Sequence, residues 1–165
     1  MNRLIKSLIL LLVLTLVSDC NSDADSSNGE VFEYKDSYVG DNSAVVNTVI
    51  HLQGADYFSG IAPQTKEQPY GIVVDYDWSE STIDLQETVI NNDSYLFTLI
   101  QNMDWVTFKF NTIDGLEEFN VTREEVEGWD EVTLSEIESE EKLRELIQVR
   151  LEGSEEVTEF LKKLR

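Results

Sequence analysis

From Tyr70 to Trp78 the chain alternates, with Tyr70, Ile72, Val74, Tyr76 and Trp78 on one side and Gly71, Val73, Asp75 and Asp77 on the other. A period of two with one wet side predicts a half-buried strand of an antiparallel sheet. Phe58–Thr65 is its expected partner, joined through Glu67-Gln68-Pro69. Thr82–Val89 is a third candidate strand, with Ile83, Leu85 and Val89 on one side. Asp114-Gly115 predicts a two-residue hairpin in which Ile113 faces Leu116, Phe110 faces Phe119 and Phe108 faces Val121. Other stretches follow the helical period. Val45, Val46, Val49 and Leu52 share a face after the candidate caps Asp41, Asn42 and Ser43, and Gly54 is a natural stop. A helix from Asp93 or Ser94 carries Leu96, Leu99, Ile100 and Met103 into a strand, Trp105–Asn111. Thr122-Arg123-Glu124-Glu125 is a capping box for a short helix reaching Gly128. Ser135 and Ser139 are caps ahead of Leu143, Leu146, Ile147 and Leu151, and a last helix carries Val157, Phe160, Leu161 and Leu164.

Read in order, these elements give α-β-β-α-β-β followed by C-terminal helices. The expected fold class is α+β: an antiparallel sheet with helices packed on one face. The 165 residues suit one domain. With 12 basic and 33 acidic residues the net charge is −21, which argues against nucleic acid and against adsorption to an anionic membrane through protein charge. One Cys and one His exclude a disulfide framework and a zinc site built from such ligands.

The N-terminus changes the picture of where the chain works. Arg3 and Lys6 precede an apolar run, Ser7–Val17, about half the roughly 20 residues a membrane span needs. Residues 1–19 therefore read as a signal peptide. Cys20 follows directly, and Val17-Ser18-Asp19-Cys20 resembles the lipobox of bacterial lipoproteins, with Asp19 standing where that motif carries Gly, Ala or Ser. The resemblance implies lipid attachment at Cys20 and an anchor on the extracytoplasmic face of the membrane; the alternatives are a secreted chain with an incidental cysteine and an uncleaved anchor. Residues 20–34 are expected as a flexible tether, 35–129 as the α+β domain and 130–165 as acidic helices.

Several blocks carry a second resemblance. They are Tyr38-Val39-Gly40-Asp41-Asn42-Ser43-Ala44-Val45-Val46-Asn47, Gln64-Thr65, Glu67-Gln68-Pro69-Tyr70-Gly71-Ile72, Leu96-Phe97-Thr98-Leu99-Ile100, Asp104-Trp105-Val106-Thr107-Phe108 and Thr122-Arg123-Glu124. Over about residues 34–129 the chain resembles a bacterial family, domain of unknown function 4825. That resemblance implies an exported or lipid-anchored protein of a Gram-positive bacterium, of a kind also found outside the membrane on signalling proteins. It implies no activity.

The most distinctive surface segment is Tyr38 to Ser43, with Tyr38, Gly40, Asp41, Asn42 and Ser43 as a candidate ligand loop at a helix N-terminus. Asp41 would compete there for the free N–H groups, so a plain helix cap is the competing reading. Asp75 and Asp77 on one strand face, with Glu80 nearby, are weak candidates for a Ca²⁺ site, although no loop matches an EF-hand and no metal is expected. His51 is expected to meet carbonyls at a helix end, and Trp78, Trp105 and Trp129 to pack a core. No catalytic motif or cofactor site is recognisable. The expected role is a non-enzymatic binding or sensory accessory domain whose partner is a small ligand or an envelope protein. The alternatives are an interaction module using the acidic C-terminal helices, or a small carboxylate-dependent hydrolase.

Overall fold

The computed structural model describes residues 31–165. The expected signal peptide, Cys20 and most of the expected tether lie outside the described residues. The chain enters the fold earlier than residue 35: Val31–Tyr34 is a single 3₁₀ turn, and Val31 is buried in the core. Four strands, β1 (Phe58–Gln64), β2 (Gly71–Asp77), β3 (Trp105–Thr112) and β4 (Gly115–Thr122), form one sheet in sequence order. Among the described residues five helices pack with it: α1 (Asn42–Val49), α2 (Leu85–Leu99), α3 (Arg123–Asp130), α4 (Glu140–Glu152) and α5 (Ser154–Lys163). The class is α+β, as expected.

Two expectations are corrected, and the second follows from the first. Thr82–Val89 is not a strand, and the helix does not wait for Asp93: α2 starts at Leu85, where Asp84 Oδ1 accepts the Glu87 N–H at 2.8 Å. A 15-residue helix therefore joins β2 to β3. A crossover of that length lets two strands run parallel, whereas a tight turn would force them antiparallel. β2 and β3 are parallel, with Val74 beside Phe108, so the sheet is mixed; β1–β2 and β3–β4 are antiparallel.

The hairpin forms with a register two residues from the expected one. Thr112 pairs with Gly115 and Phe108 with Phe119, which places Ile113-Asp114 at the turn. Gly115 takes a φ of +131°, reached readily by glycine alone, and the Thr112 hydroxyl donates to Gly115 O at 2.8 Å. A shift of two preserves the face of every side chain, so the apolar side stays apolar.

That side, with Ile72, Val74, Tyr76, Val106, Phe108, Phe110, Phe119 and Val121, is buried under the helices. The core continues without a break into the C-terminal helices through Leu143, Ile147, Val157, Leu161 and Leu164. Trp129 stacks on Phe160 at 4.4 Å. The Asn120 N–H, on the outer edge of β4, donates to Leu164 O at 2.8 Å. Residues 130–165 thus close the sheet against solvent on this side. At the other edge, β1 carries Pro63 and an irregularity in pairing between Phe58 and Gly60.

Candidate functional site

The segment Tyr38 to Ser43 is tied down from both ends. The Val39 N–H donates to Asn102 Oδ1 at 2.8 Å, the Asp41 N–H to Tyr38 O at 2.9 Å, and Asp41 Oδ1 accepts the Ala44 N–H at 3.1 Å. Asp41 is the N-cap of α1, which occupies the helix end that an anion would need. Tyr38 is exposed, and a Cβ added at Gly40 would meet nothing within 4 Å. Asp75 and Asp77 go separate ways. Asp75 lies in register with Lys109 on the open side of the sheet, while Asp77 Oδ1 accepts the Ser79 hydroxyl at 2.8 Å. Among the described residues no group of three His, Cys, Asp or Glu side chains is placed to hold a metal ion. His51 Nδ1 lies 2.6 Å from Asn47 O, the helix-end carbonyl contact expected of it.

A different place brings more together. A groove of about 930 Å³ opens between the β1–β2 turn at Gln68-Pro69 and the outer side of α3, with Asp104, Trp105 and Arg123 along its base. Its parts interlock. The Tyr70 N–H donates to Asp104 Oδ2 at 2.7 Å, and the Asp104 N–H returns a bond to Tyr70 O at 2.8 Å. The Arg123 N–H then donates to Asp104 O at 2.8 Å, which joins the start of α3 to the start of β3. The Trp105 indole N–H donates to Pro69 O at 3.1 Å. Its ring lies against Gly71: a Cβ there would meet ring carbons Cδ2 and Cε2 at 2.3 and 2.4 Å. Glycine is therefore a steric requirement at position 71, and Trp105, half-buried, lines the groove instead of the core.

Arg123 is the structural bolt behind this groove. α2 ends at Leu99, leaving last-turn carbonyls without intrahelical partners. The Arg123 guanidinium donates to Phe97 O, Ile100 O and Met103 O, each at 2.8 Å, and lies over the Phe97 ring at 5.2 Å. A cation at a helix C-terminus also suits the dipole. Burial pulls the Arg123 pKa down while Glu127, 3.4 Å away, pushes it back up, and an arginine stays charged through this range. Glu127 also accepts the Leu134 N–H at 3.0 Å. Arg123 thus faces inward, and the exposed charge of the groove is carboxylate: Asp104, Glu124 and Glu131, with Glu127 half-buried.

A second cleft, of about 240 Å³, is lined by His51, Gln53, Asn91, Tyr95, Glu140 and Arg144 among others. The Tyr95 phenol donates to Glu140 Oε1 at 2.9 Å, and Arg144 holds the same oxygen from Nη2 at 2.8 Å. Burial first, then the Glu140 carboxylate, pushes the Tyr95 pKa up to about 12.

Gln68 to Gly71, Asp104-Trp105 and Thr122 to Glu124 meet at the groove, and all three come from blocks by which the sequence resembles a known family. The family model for domain of unknown function DUF4825 matches residues 31–122, more than half of the chain. The chain belongs to that family. Neither curated proteins nor solved structures match it. In this DUF4825 domain the matched span contributes the turn and the base of the groove, while its far wall, α3, begins just after the match at Arg123. The groove was not legible from any one motif. An aromatic in a strand reads as core, although Trp105 shares its face with Thr107 and Lys109, and Arg123 reads as part of a cap. The signal that could have found the site is the pair Pro69-Tyr70-Gly71 and Asp104-Trp105, each too short to mean anything alone.

Proposed function

We propose that this DUF4825 protein is a non-enzymatic binding module, held on the extracytoplasmic face of the membrane by lipid at Cys20, and that the groove beside Trp105 is its binding site. The observation that carries the reading is how the groove's polar groups are used. Arg123 is bonded to backbone carbonyls, Asp104 to the Tyr70 N–H and Glu127 to the Leu134 N–H, so these side chains shape a surface. A volume of about 930 Å³ lies within the usual range of ligand sites. The anchor is supported by the apolar run ending at Val17 and by the cysteine that follows at position 20. No helix among the described residues is long and apolar enough to cross a membrane.

Gly128 offers a direct test, because a Cβ there would meet nothing within 4 Å. Gly128 lines the groove, so Gly128→Trp sets an indole at its wall and replaces a helix-weakening residue, and the fold should hold. In a thermal-shift screen of small envelope metabolites and peptides, ligands that stabilise the wild type are expected to leave Gly128→Trp unchanged. Ligands that stabilise both equally would remove the groove from the proposal. For the anchor, mass spectrometry of the N-terminal peptide in membrane fractions should find it beginning at an acylated Cys20, with processing lost in Cys20→Ala.

A further inference from the structure

We infer that the groove takes a cationic peptide segment and seats a lysine or arginine side chain on the face of Trp105, an inference that rests on the groove being the binding site. The indole is fixed before any ligand arrives: its N–H is bonded to Pro69 O and one side of the ring lies on Gly71. With its polar atom satisfied, the ring has only its outer π face to offer, and that face attracts cations. The charges around it have the matching sign. Asp104, Glu124 and Glu131 are exposed at the groove, and Arg123, the one cation lining it among the described residues, is turned onto the carbonyls of Phe97, Ile100 and Met103. The net charge of −21 adds long-range attraction for a positive partner and repels phosphate or carboxylate ligands. Pro69 and Val132 supply apolar contact for the methylene stem of such a side chain. A volume of about 930 Å³ far exceeds what a single ammonium fills, which favours a stretch of chain as occupant.

The test uses the full-length chain in detergent micelles and a fluorescein-labelled pentalysine, with penta-norleucine as the neutral comparison, read by anisotropy. Pentalysine is expected to bind and penta-norleucine not to. Trp105→Leu should weaken binding about tenfold, and Glu124→Gln about threefold with a shallower salt dependence. Gly128→Trp should abolish binding while the far-ultraviolet dichroism stays native, which guards against a Trp105 variant that merely unfolds. Glu141→Gln/Glu145→Gln removes two exposed charges on α4, away from the groove, and should change little. Equal weakening by that remote pair would reduce the effect to bulk charge and overturn the inference. Tetramethylammonium competing as tightly as pentalysine would overturn the peptide in favour of a small quaternary ammonium. If pentalysine fails but a neutral or anionic compound binds the wild type and not Gly128→Trp, the cationic class is wrong and the groove reading survives. If every ligand ignores Gly128→Trp, the groove reading itself is wrong.

Discussion

On the side of the sheet that faces the helices, Val106, Phe108, Phe110, Phe119 and Val121 are fully buried, and Phe110 packs among Tyr76, Trp78 and Phe119. On the opposite side the same strands carry Ala62, Val73, Asp75, Lys109, Glu118 and Asn120, all at least partly exposed. Small and polar groups replace rings there. Lys109 pairs with Glu118 at 3.4 Å, and the Thr107 hydroxyl donates to Asn120 at 2.7 Å. The covered side carries stability through removal of apolar surface from water. The open side carries almost none, and at its rim Trp105 lines the groove proposed as the binding site.

The sharpest way to break this contrast is a matched pair of truncations. Phe108→Ala, on the covered side, should cost about 4 kcal/mol, and Val73→Ala, half-buried on the open side, under about 1 kcal/mol, both read from urea midpoints. Comparable losses would mean that the open side is not open. Next in size is Arg123→Ala, which strips three carbonyls of a charged donor and should cost about 3 kcal/mol; Arg123→Lys should recover little, since one ammonium cannot reach all three. Asp41→Ala should cost about 1 kcal/mol as a lost cap. It should leave groove ligands bound as tightly as before, which separates the Tyr38 to Ser43 segment from the site.

The smallest effect is on alkaline stability. The Tyr95 phenol, raised from 10.0 to about 12, favours the fold fully below pH 10, and that contribution is lost as the pH rises through about 12. Tyr95→Phe has no such proton to lose, so its stability should fall less over that window. Tyr76, raised further by burial and opposed by its bond with Asn92, remains in both proteins and sets the baseline.

How much of this could be read from the chain depended on whether the burial pattern was clean. β2 alternates plainly, and Thr122–Glu125 closes the capping box its residue types require, with both reciprocal bonds made. α2 was obscured because it buries polar side chains: Thr88, Asn92, Asp93, Ser94 and Thr98 are all at most 1% exposed. With polar groups among its buried positions, the helix shows no clean apolar stripe in its first half, so Ile83, Leu85 and Val89 read as a strand. Thr88 bonds within the helix start, to Asp84 O, but Ser94 and Asn92 find partners far along the chain. Arg150 donates to Ser94 Oγ at 2.7 Å, and Asn92 donates to Gln53 O at 2.9 Å. Asp84 with Glu87 three residues on was the local sign of the true start. The parallel β2–β3 pair was lost with that helix. The groove was lost for a related reason, since its residues come from a turn, a strand start and a helix start that only the folded sheet brings together.

The free edge of β1 also bears on how copies of this protein tolerate crowding. A strand with one unpaired side is a template on which a second copy can add its own strand and begin an aggregate. Pro63 offers no N–H to such a newcomer, and the break in regular pairing between Phe58 and Gly60 interrupts the row a little further on. Molecules confined to a surface meet far more often than molecules in dilute solution. The proposed lipid anchor would hold this protein at such a surface, and an edge that refuses its neighbours is built into the seven residues of β1.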